Sequence, residues 1–291
     1  MTAREQVLRS SIIPSLFLTL AGVLASTVAG GTAAAAEAPA SVQLYALDGG
    51  KLEFKDLSSF SDTGEYAGQS GAVAVPAFLI RHPKGTLMWD TGLNPEWVKK
   101  EGSANPVLHA TVAASIAEQL KQIGVTPADV TFVAFSHLHL DHTGNANLFA
   151  KSTWIMSKAE IEWATGPAGK FAIDAPSFSA YESAKKKLID GDLDVFGDGT
   201  VQILRTPGHT PGHQVLLLRL KSGSVLLSGD LYHLRRDVKE RLIPIWNTNR
   251  ADTLASFDRV ERLVKNLHAR LVVQHDPGDF QSLPHFPAFL Q

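Results

Sequence analysis

The chain has 291 residues, of which 44% are hydrophobic, and a formal net charge of −2. That apolar content excludes a disordered polymer, and the near-neutral charge excludes a surface built to bind nucleic acid. The absence of cysteine excludes disulfides, thiolate metal sites and thiol nucleophiles, so any metal must be held by nitrogen and oxygen.

The N-terminal segment differs from the rest. Arg4 and Arg9 precede an apolar run from Ile12 to Val28, and small residues end in Ala33-Ala34-Ala35-Ala36-Glu37. A basic start, apolar middle and A-x-A-like end predict a secretory signal peptide over 1–36, which leaves 37–291 as the mature domain and a periplasmic or secreted location. The competing reading is an uncleaved anchor, although Pro14, Ser15, Gly22, Ser26 and Thr27 dilute the run. No later stretch is apolar enough to span a bilayer, so stable membrane association after cleavage is not expected.

In the remaining chain, Val42–Leu47, Val73–Ile80 and Thr86–Trp89 read as strands separated by turn residues. Thr111–Ile123 carries Val112, Ile116, Leu120 and Ile123 on one helical face, with Gly124 as its stop. Thr131–Phe135 is a compact apolar strand, and Ser152–Met156 another. Residues 165–191 read as an irregular insertion over the site, with Lys185-Lys186-Lys187 as a solvated helix face. Val201–Leu204, Gln214–Leu220 and Ser224–Leu227 read as three more strands. Asp252–Leu267 is an amphipathic helix that leads to strand Leu271–Gln274. The alternation predicts an α/β protein whose notable polar residues follow strand ends, where ligand sites gather.

Chemistry is concentrated after Thr131–Phe135. Ser136-His137-Leu138-His139-Leu140-Asp141-His142 puts four metal-competent side chains within six positions. Residues two apart at a strand end point the same way, so His137 and His139 can grip one ion. Asp141 and His142 can reach a second. Four side chains do not complete two shells, and the sequence supplies more after later strands: His209 in Thr206-Pro207-Gly208-His209-Thr210-Pro211-Gly212-His213, Asp230 after Ser228-Gly229, and His275 after Gln274. Two ions about 3.5–4 Å apart acidify a shared water, the chemistry of hydrolysis. An all-His/Asp set suits Zn²⁺ without excluding iron or manganese.

This ordered pattern resembles the metallo-β-lactamase superfamily over essentially the whole of 37–291. The resemblance implies a four-layer αβ/βα sandwich with a dinuclear metal site at the sheet edge. It implies that His137, His139 and His209 hold one ion, that Asp141, His142 and His275 hold the other, and that Asp230 bridges. Asp90, in Trp89-Asp90-Thr91-Gly92, matches an early Asp-x-Gly element of supporting residues, with an ordinary turn aspartate as its alternative. His213 reads as structural or as a support for the ligands. His82, His109, His268 and His285 show no partner pattern.

Several departures narrow the branch. Lactam-cleaving members commonly carry Cys or Ser at the position of Asp230. Glyoxalase II-like thioesterases carry a helical extension, whereas 16 residues follow His275 here. The remaining motifs resemble the N-acyl homoserine lactonases, which implies opening of the lactone ring by a metal-bridging hydroxide, with a proton passed through Asp141. In that family a tyrosine after the bridging aspartate assists the carbonyl. Tyr232 is the candidate here, though His233 stands at the usual offset of three, and a packing tyrosine is the alternative. Trp163, Phe171 and Phe178 could shelter an acyl chain or only pack the insertion, and Arg235 and Arg236 read as surface residues. The expected partner is a small ester or lactone, not nucleic acid. An exported phosphotriesterase or aryl-ester hydrolase is the enzymatic alternative, and a metal-dependent binding protein the non-enzymatic one.

Overall fold

A computed structural model of the protein describes residues 39–169 and 174–291. The proposed signal peptide and Phe171 lie outside the described residues. In chain order the elements are β1 (Gln43–Phe54), β2 (Gly71–His82), β3 (Gly85–Trp89), α1 (Pro95–Trp97), β4 (Leu108–Thr111), α2 (Ile116–Gln122), β5 (Phe132–Ala134), α3 (Leu140–Thr143), β6 (Thr153–Ser157), α4 (Lys158–Thr165) and β7 (Lys185–Ile189). They continue as β8 (Leu193–Asp194), β9 (Val201–Arg205), β10 (Gln214–Leu220), β11 (Gly223–Leu227), α5 (Arg235–Glu240), α6 (Arg250–Leu267), β12 (Arg270–Val272) and α7 (Pro277–Gln281).

Two sheets form, a seven-stranded one in the order β4-β1-β2-β3-β5-β6-β7 and a five-stranded one in the order β12-β11-β10-β9-β8. Strand alternation determines what each face meets. Phe78 and Ile80 of β2 point inward with Leu216, Leu218 and Ile203 of the other sheet. Their neighbours Ala77 and Leu79 point outward onto Ile116 and Leu120 of α2. On the second sheet, Val215 and Leu217 pack against Phe257 and Val260 of α6. Helix, sheet, sheet, helix is the four-layer αβ/βα sandwich expected. Among the described residues no helix is long and apolar enough to cross a membrane.

The structure corrects two sequence expectations. The helix expected from Thr111 begins only at Ile116, because Ser115 caps it: Ser115 accepts from Glu118 N–H, and the Glu118 carboxylate accepts from Ser115 N–H. Thr111 itself ends strand β4, which pairs with β1. Likewise Lys185-Lys186-Lys187 is not a helix face but part of β7, the outermost strand of the larger sheet. β7 pairs with β6 on one side only, so its three lysines stand in solvent at a sheet edge.

Candidate metal centre

Strand ends from both sheets converge on one site. β3 and β5 run parallel and deliver Asp90 and the 136–142 segment, while the parallel pair β11 and β12 delivers Asp230 and His275. The β9–β10 connection delivers His209. Thus the seven residues predicted as ligands, scattered over 139 positions from 137 to 275, meet at one edge.

They meet as two groups. In one, the ligand atoms of His137, His139, His209 and Asp230 all lie within 4.8 Å of one another, and in the other those of Asp141, His142 and His275 do so. In the first, His137 Nε2, His139 Nδ1 and His209 Nε2 form a triangle with edges of 2.9, 3.0 and 3.1 Å. In the second, His142 Nε2 lies 3.2 Å from His275 Nε2. Tetrahedral ligation at about 2.0–2.1 Å would space such nitrogens by about 3.3–3.4 Å, so both groups are close to the geometry a metal requires. Asp230 faces both: Oδ1 is 3.0 Å from His142 Nε2 and 3.0 Å from His275 Nε2, and Oδ2 is 3.4 Å from His209 Nε2. Although Oδ1 is buried and this near to two rings, neither ring nitrogen is aligned to hydrogen-bond it. That is the arrangement of a donor aimed at a shared cation, and the residues fit two ions bridged by Asp230. Asp141 is more open and lies 3.6 Å from His275 Nε2 through Oδ2.

The surrounding hydrogen bonds select which ring nitrogen is free. His142 Nδ1 donates to Asp90 Oδ2 (3.0 Å), His275 Nδ1 to the Ala74 carbonyl (2.6 Å) and His209 Nδ1 to Asn247 Oδ1 (2.9 Å). Each contact holds the proton on Nδ1 and turns a bare Nε2 to the centre. Asp90 thus lies against His142 Nδ1 and outside both groups of ligand atoms. It is fully buried at φ +55° and also accepts from Ser136 N–H (2.7 Å) and Gln274 Nε2 (2.9 Å). His213 supports the bridge: its Nε2 accepts from Asp230 N–H (2.9 Å), and its Nδ1 donates to the Thr206 carbonyl (3.0 Å). Gly229, at φ +51°, allows that contact, since a Cβ there would meet His213 Nε2 at 2.6 Å.

Charge is partitioned between the groups. Burial, reinforced by neighbouring imidazoles, holds His137 and His209 far below the usual histidine range and His139 at about 4, so the three histidines of the first group are neutral and ready to ligate. For His142, burial pulls the same way, but the carboxylates of Asp230, Asp90 and Asp141 outweigh it and raise the pKa. His275 is raised similarly, with Asp230 opposing burial. Asp230 is held ionised: burial disfavours its charge, but His275 and His142 lead the groups that overcome it.

Three supports escaped sequence reasoning. Glu160, buried on α4, accepts from Leu138 N–H (2.9 Å) through Oε1 and from Gly212 N–H (3.0 Å) through Oε2, tying together both histidine-bearing loops. Burial raises its pKa to about 7. Asn247 and Gln274 act over long separations, and no local spacing announces any of the three.

Tyr232 is not brought to the site. It is buried and stacked on Phe257 of α6, 4.5 Å between ring centres, and burial raises its pKa. Strand-like backbone at this point turns successive side chains to opposite sides, so His233 faces the centre instead, with Nε2 3.1 Å from Asp230 Oδ2. Phe178 packs inside with Phe135 and Trp154, away from the site, whereas the Trp163 ring lies 5.6 Å from that of His139. Arg235 and Arg236 pair with Asp279 and Glu240 at the surface. His82 is buried against Phe196 and pairs with Asp198.

A cavity of about 390 Å³ opens above the centre. His139, Asp141, Asp230, His233 and His275 form its polar floor, and Leu52, Phe54, Phe60, Trp97, Leu108 and Trp246 form most of its walls. A polar floor beneath apolar walls suits a ligand with one reactive polar end and an aliphatic arm.

Comparison with known proteins agrees with this geometry. The sequence profile of the Metallo-beta-lactamase superfamily matches residues 70–275. The chain is 32% identical over 263 residues to the N-acyl homoserine lactonase AttM of Azorhizobium caulinodans, covering 85% of this chain and 98% of that one. It is 28% identical over 221 residues to the N-acyl homoserine lactonase AiiA of Bacillus thuringiensis subsp. kurstaki, covering 73% of this chain and 85% of that one. The solved structure of an N-acyl homoserine lactone hydrolase, with the product N-hexanoyl-L-homoserine at its catalytic metal centre, superposes with a TM-score of 0.76 at 27% identity, covering 86% of this chain and 100% of that one.

Proposed function

The chain belongs to the metallo-β-lactamase superfamily, and from that premise we propose that it is a metal-dependent lactonase that opens the ring of N-acyl homoserine lactones and so quenches quorum signals. The observation that carries this reading is the two-group His/Asp floor, joined by Asp230, beneath an apolar-walled cavity. The relatives' printed activities support it.

Two divalent ions, assigned as zinc from the nitrogen-rich donor set, would be held by His137, His139, His209 and Asp230 and by Asp141, His142 and His275, and would supply an acidified water and a Lewis acid for the carbonyl. The protein's own groups do the rest. The apolar walls exclude bulk water and hold the aliphatic arm, which places the ring at the floor. Asp141 lines the cavity beside the second group and carries a proton to the ring oxygen as the C–O bond breaks. His233 takes the orienting role first considered for Tyr232. Its Nδ1 is buried without a partner and its Nε2 faces the Asp230 carboxylate, so the proton sits on Nε2, on the floor side. Export, read from 1–36, belongs to the same proposal and places the enzyme where diffusible signals pass.

The test is metal analysis of the purified chain together with pH-stat hydrolysis of N-acyl homoserine lactones, alkyl lactones and paraoxon-type esters. About two metals per chain and lactone opening that His139→Ala and Asp230→Ala abolish are expected. Turnover of phosphotriesters or aryl esters alone would retain the fold and discard the lactonase assignment.

A further inference from the structure

The two metal groups are held in place by different means. In the second, the rings themselves are tied, His142 Nδ1 to Asp90 and His275 Nδ1 to the Ala74 carbonyl. The backbone is pinned there as well: Thr91 N–H donates to the His142 carbonyl (2.7 Å) and Ala74 N–H to the His275 carbonyl (3.0 Å). None of these contacts involves the first group. There His139 turns Nδ1 toward His137 and His209, and among the described residues its ring has no hydrogen bond outside them. The placement of that ring follows from its backbone, so whatever fixes the chain between His137 and His139 fixes one corner of the triangle.

Glu160 fixes it. Leu138, the residue between those two histidines, donates its N–H to Glu160 Oε1 at 2.9 Å, and Gly212, three residues after His209, donates its N–H to Oε2 at 3.0 Å. One carboxylate thereby sets the separation of the two loops that carry all three histidines of the first group. Two N–H donors from opposite sides need an acceptor at each end of the side chain, which a carboxylate supplies and an amide does not. Close approach is built in, since a Cβ on Gly212 would lie 2.3 Å from Glu160 N and 2.5 Å from Glu160 Cβ. Glu160 is 3% exposed, and burying a carboxylate against backbone amides alone is a costly way to gain stability. Trp163, one turn further along α4, packs edge-on to His139, so the same face of one helix serves the first group twice.

We propose that Glu160 is the positioning residue of the first metal group: by holding Leu138 and Gly212 at a fixed separation, it sets the affinity for the first ion and not for the second. The inference rests on the two-metal reading of the site. The test is zinc affinity, measured against a competing chelator, in full-length chains that carry one group at a time. His275→Ala retains the first group and His209→Ala the second. Adding Glu160→Gln, whose amide turns NH₂ toward one of the two N–H donors, should weaken zinc binding by about tenfold or more in the His275→Ala chain. In the His209→Ala chain the change should stay within about twofold, as for sites that share no partners. Glu160→Asp keeps both acceptors on a side chain one methylene shorter and should show a smaller loss with the same division, which carries the test if the glutamine variant does not fold. A residue that served the fold alone would lower unfolding stability and leave the two affinities undivided. Equal weakening in both chains, or a first-group affinity that stays within about twofold in both Glu160 variants, overturns the assignment. Failure of the unsubstituted chain to bind zinc would instead overturn the two-metal reading, and this inference with it.

Discussion

Replacing Asp90 with Asn tests whether the support around the second metal group is as interlocked as the distances indicate. The substitution preserves size, and Asn adopts the φ of +55° as readily as Asp, so no backbone strain is introduced. What changes is the count of acceptors. Asp90 receives Ser136 N–H on Oδ1 and both His142 Nδ1–H and Gln274 Nε2–H on Oδ2. In either orientation the Asn amide leaves at least one buried donor facing NH₂. Gln274 does not relieve this by rotating, because its Oε1 already accepts from Trp89 Nε1 (3.1 Å) and Gly229 N–H (2.8 Å). One or two orphaned donors at about 1–3 kcal/mol each predict a loss of about 1–6 kcal/mol in the stability of the metal-free protein. A misaligned His142 ring predicts about 10- to 100-fold weaker metal binding in the second group, with the first group little changed. Urea unfolding with unchanged m-values, and metal titration against a competing chelator, measure the two quantities. A loss under about 1 kcal/mol, or equal weakening of both groups, would refute the reasoning.

Three further outcomes follow from the geometry. Tyr232→Phe should leave kcat/KM for lactone opening within about twofold, because its ring packs on Phe257, whereas His233→Phe should lower it by about tenfold or more through loss of an oriented donor; the reverse order in steady-state assays would restore Tyr232 to the site. Gly208→Ala should destabilise the chain by about 2 kcal/mol or more in thermal or urea unfolding, because Gly208 has φ +136° and its Cβ would lie 2.3 Å from Thr253 Oγ1. Metal binding should release protons unequally. His142 and His275 have raised pKa values, so they keep a proton to higher pH than the histidines of the first group, and a ligating nitrogen must give its proton up. His137, His139 and His209 are lowered and already neutral. Affinity of the second group should therefore fall as pH drops below the raised values, while that of the first holds down to nearer 4, where His139 titrates. Calorimetry in buffers of different ionisation heat would detect this, and equal proton release by both groups would contradict it.

What the sequence made legible was local chemistry at strand ends. The His137–His142 run, the Gly-His at 208–209, the Gly-Asp at 229–230 and the late His275 each follow a short apolar strand, so their convergence could be expected before any coordinates. The alternation of strands and amphipathic helices indicated an α/β protein, and the four layers followed from the resemblance to the metallo-β-lactamase superfamily. The rest was hidden for separate physical reasons. The capping box Ser115–Glu118 was readable, and the earlier apolar Val112 obscured it by extending the helical period. β7 was obscured by composition, since three lysines in a row suppress a strand pattern that pairing with β6 supplies. Glu160, Asn247 and Gln274 act across 22, 38 and 184 positions, and a contact of that span exists only once the sheets are assembled. The exchange of Tyr232 for His233 turned on which side of an extended backbone faces the centre, a one-residue question of register.

The three lysines of β7 have a consequence for how copies of the protein treat one another in concentrated solution. The strand leaves a row of backbone donors and acceptors open along the outer margin of a seven-stranded sheet, and that margin is a template on which a second molecule could add its own strand. Successive ammonium groups at Lys185, Lys186 and Lys187 place like charge opposite like charge in any such pairing and make it repulsive. Neutral β-formers at these positions would leave fold and centre intact while turning a self-avoiding margin into a self-adhesive one, and the change would appear in colloidal behaviour long before it reached catalysis.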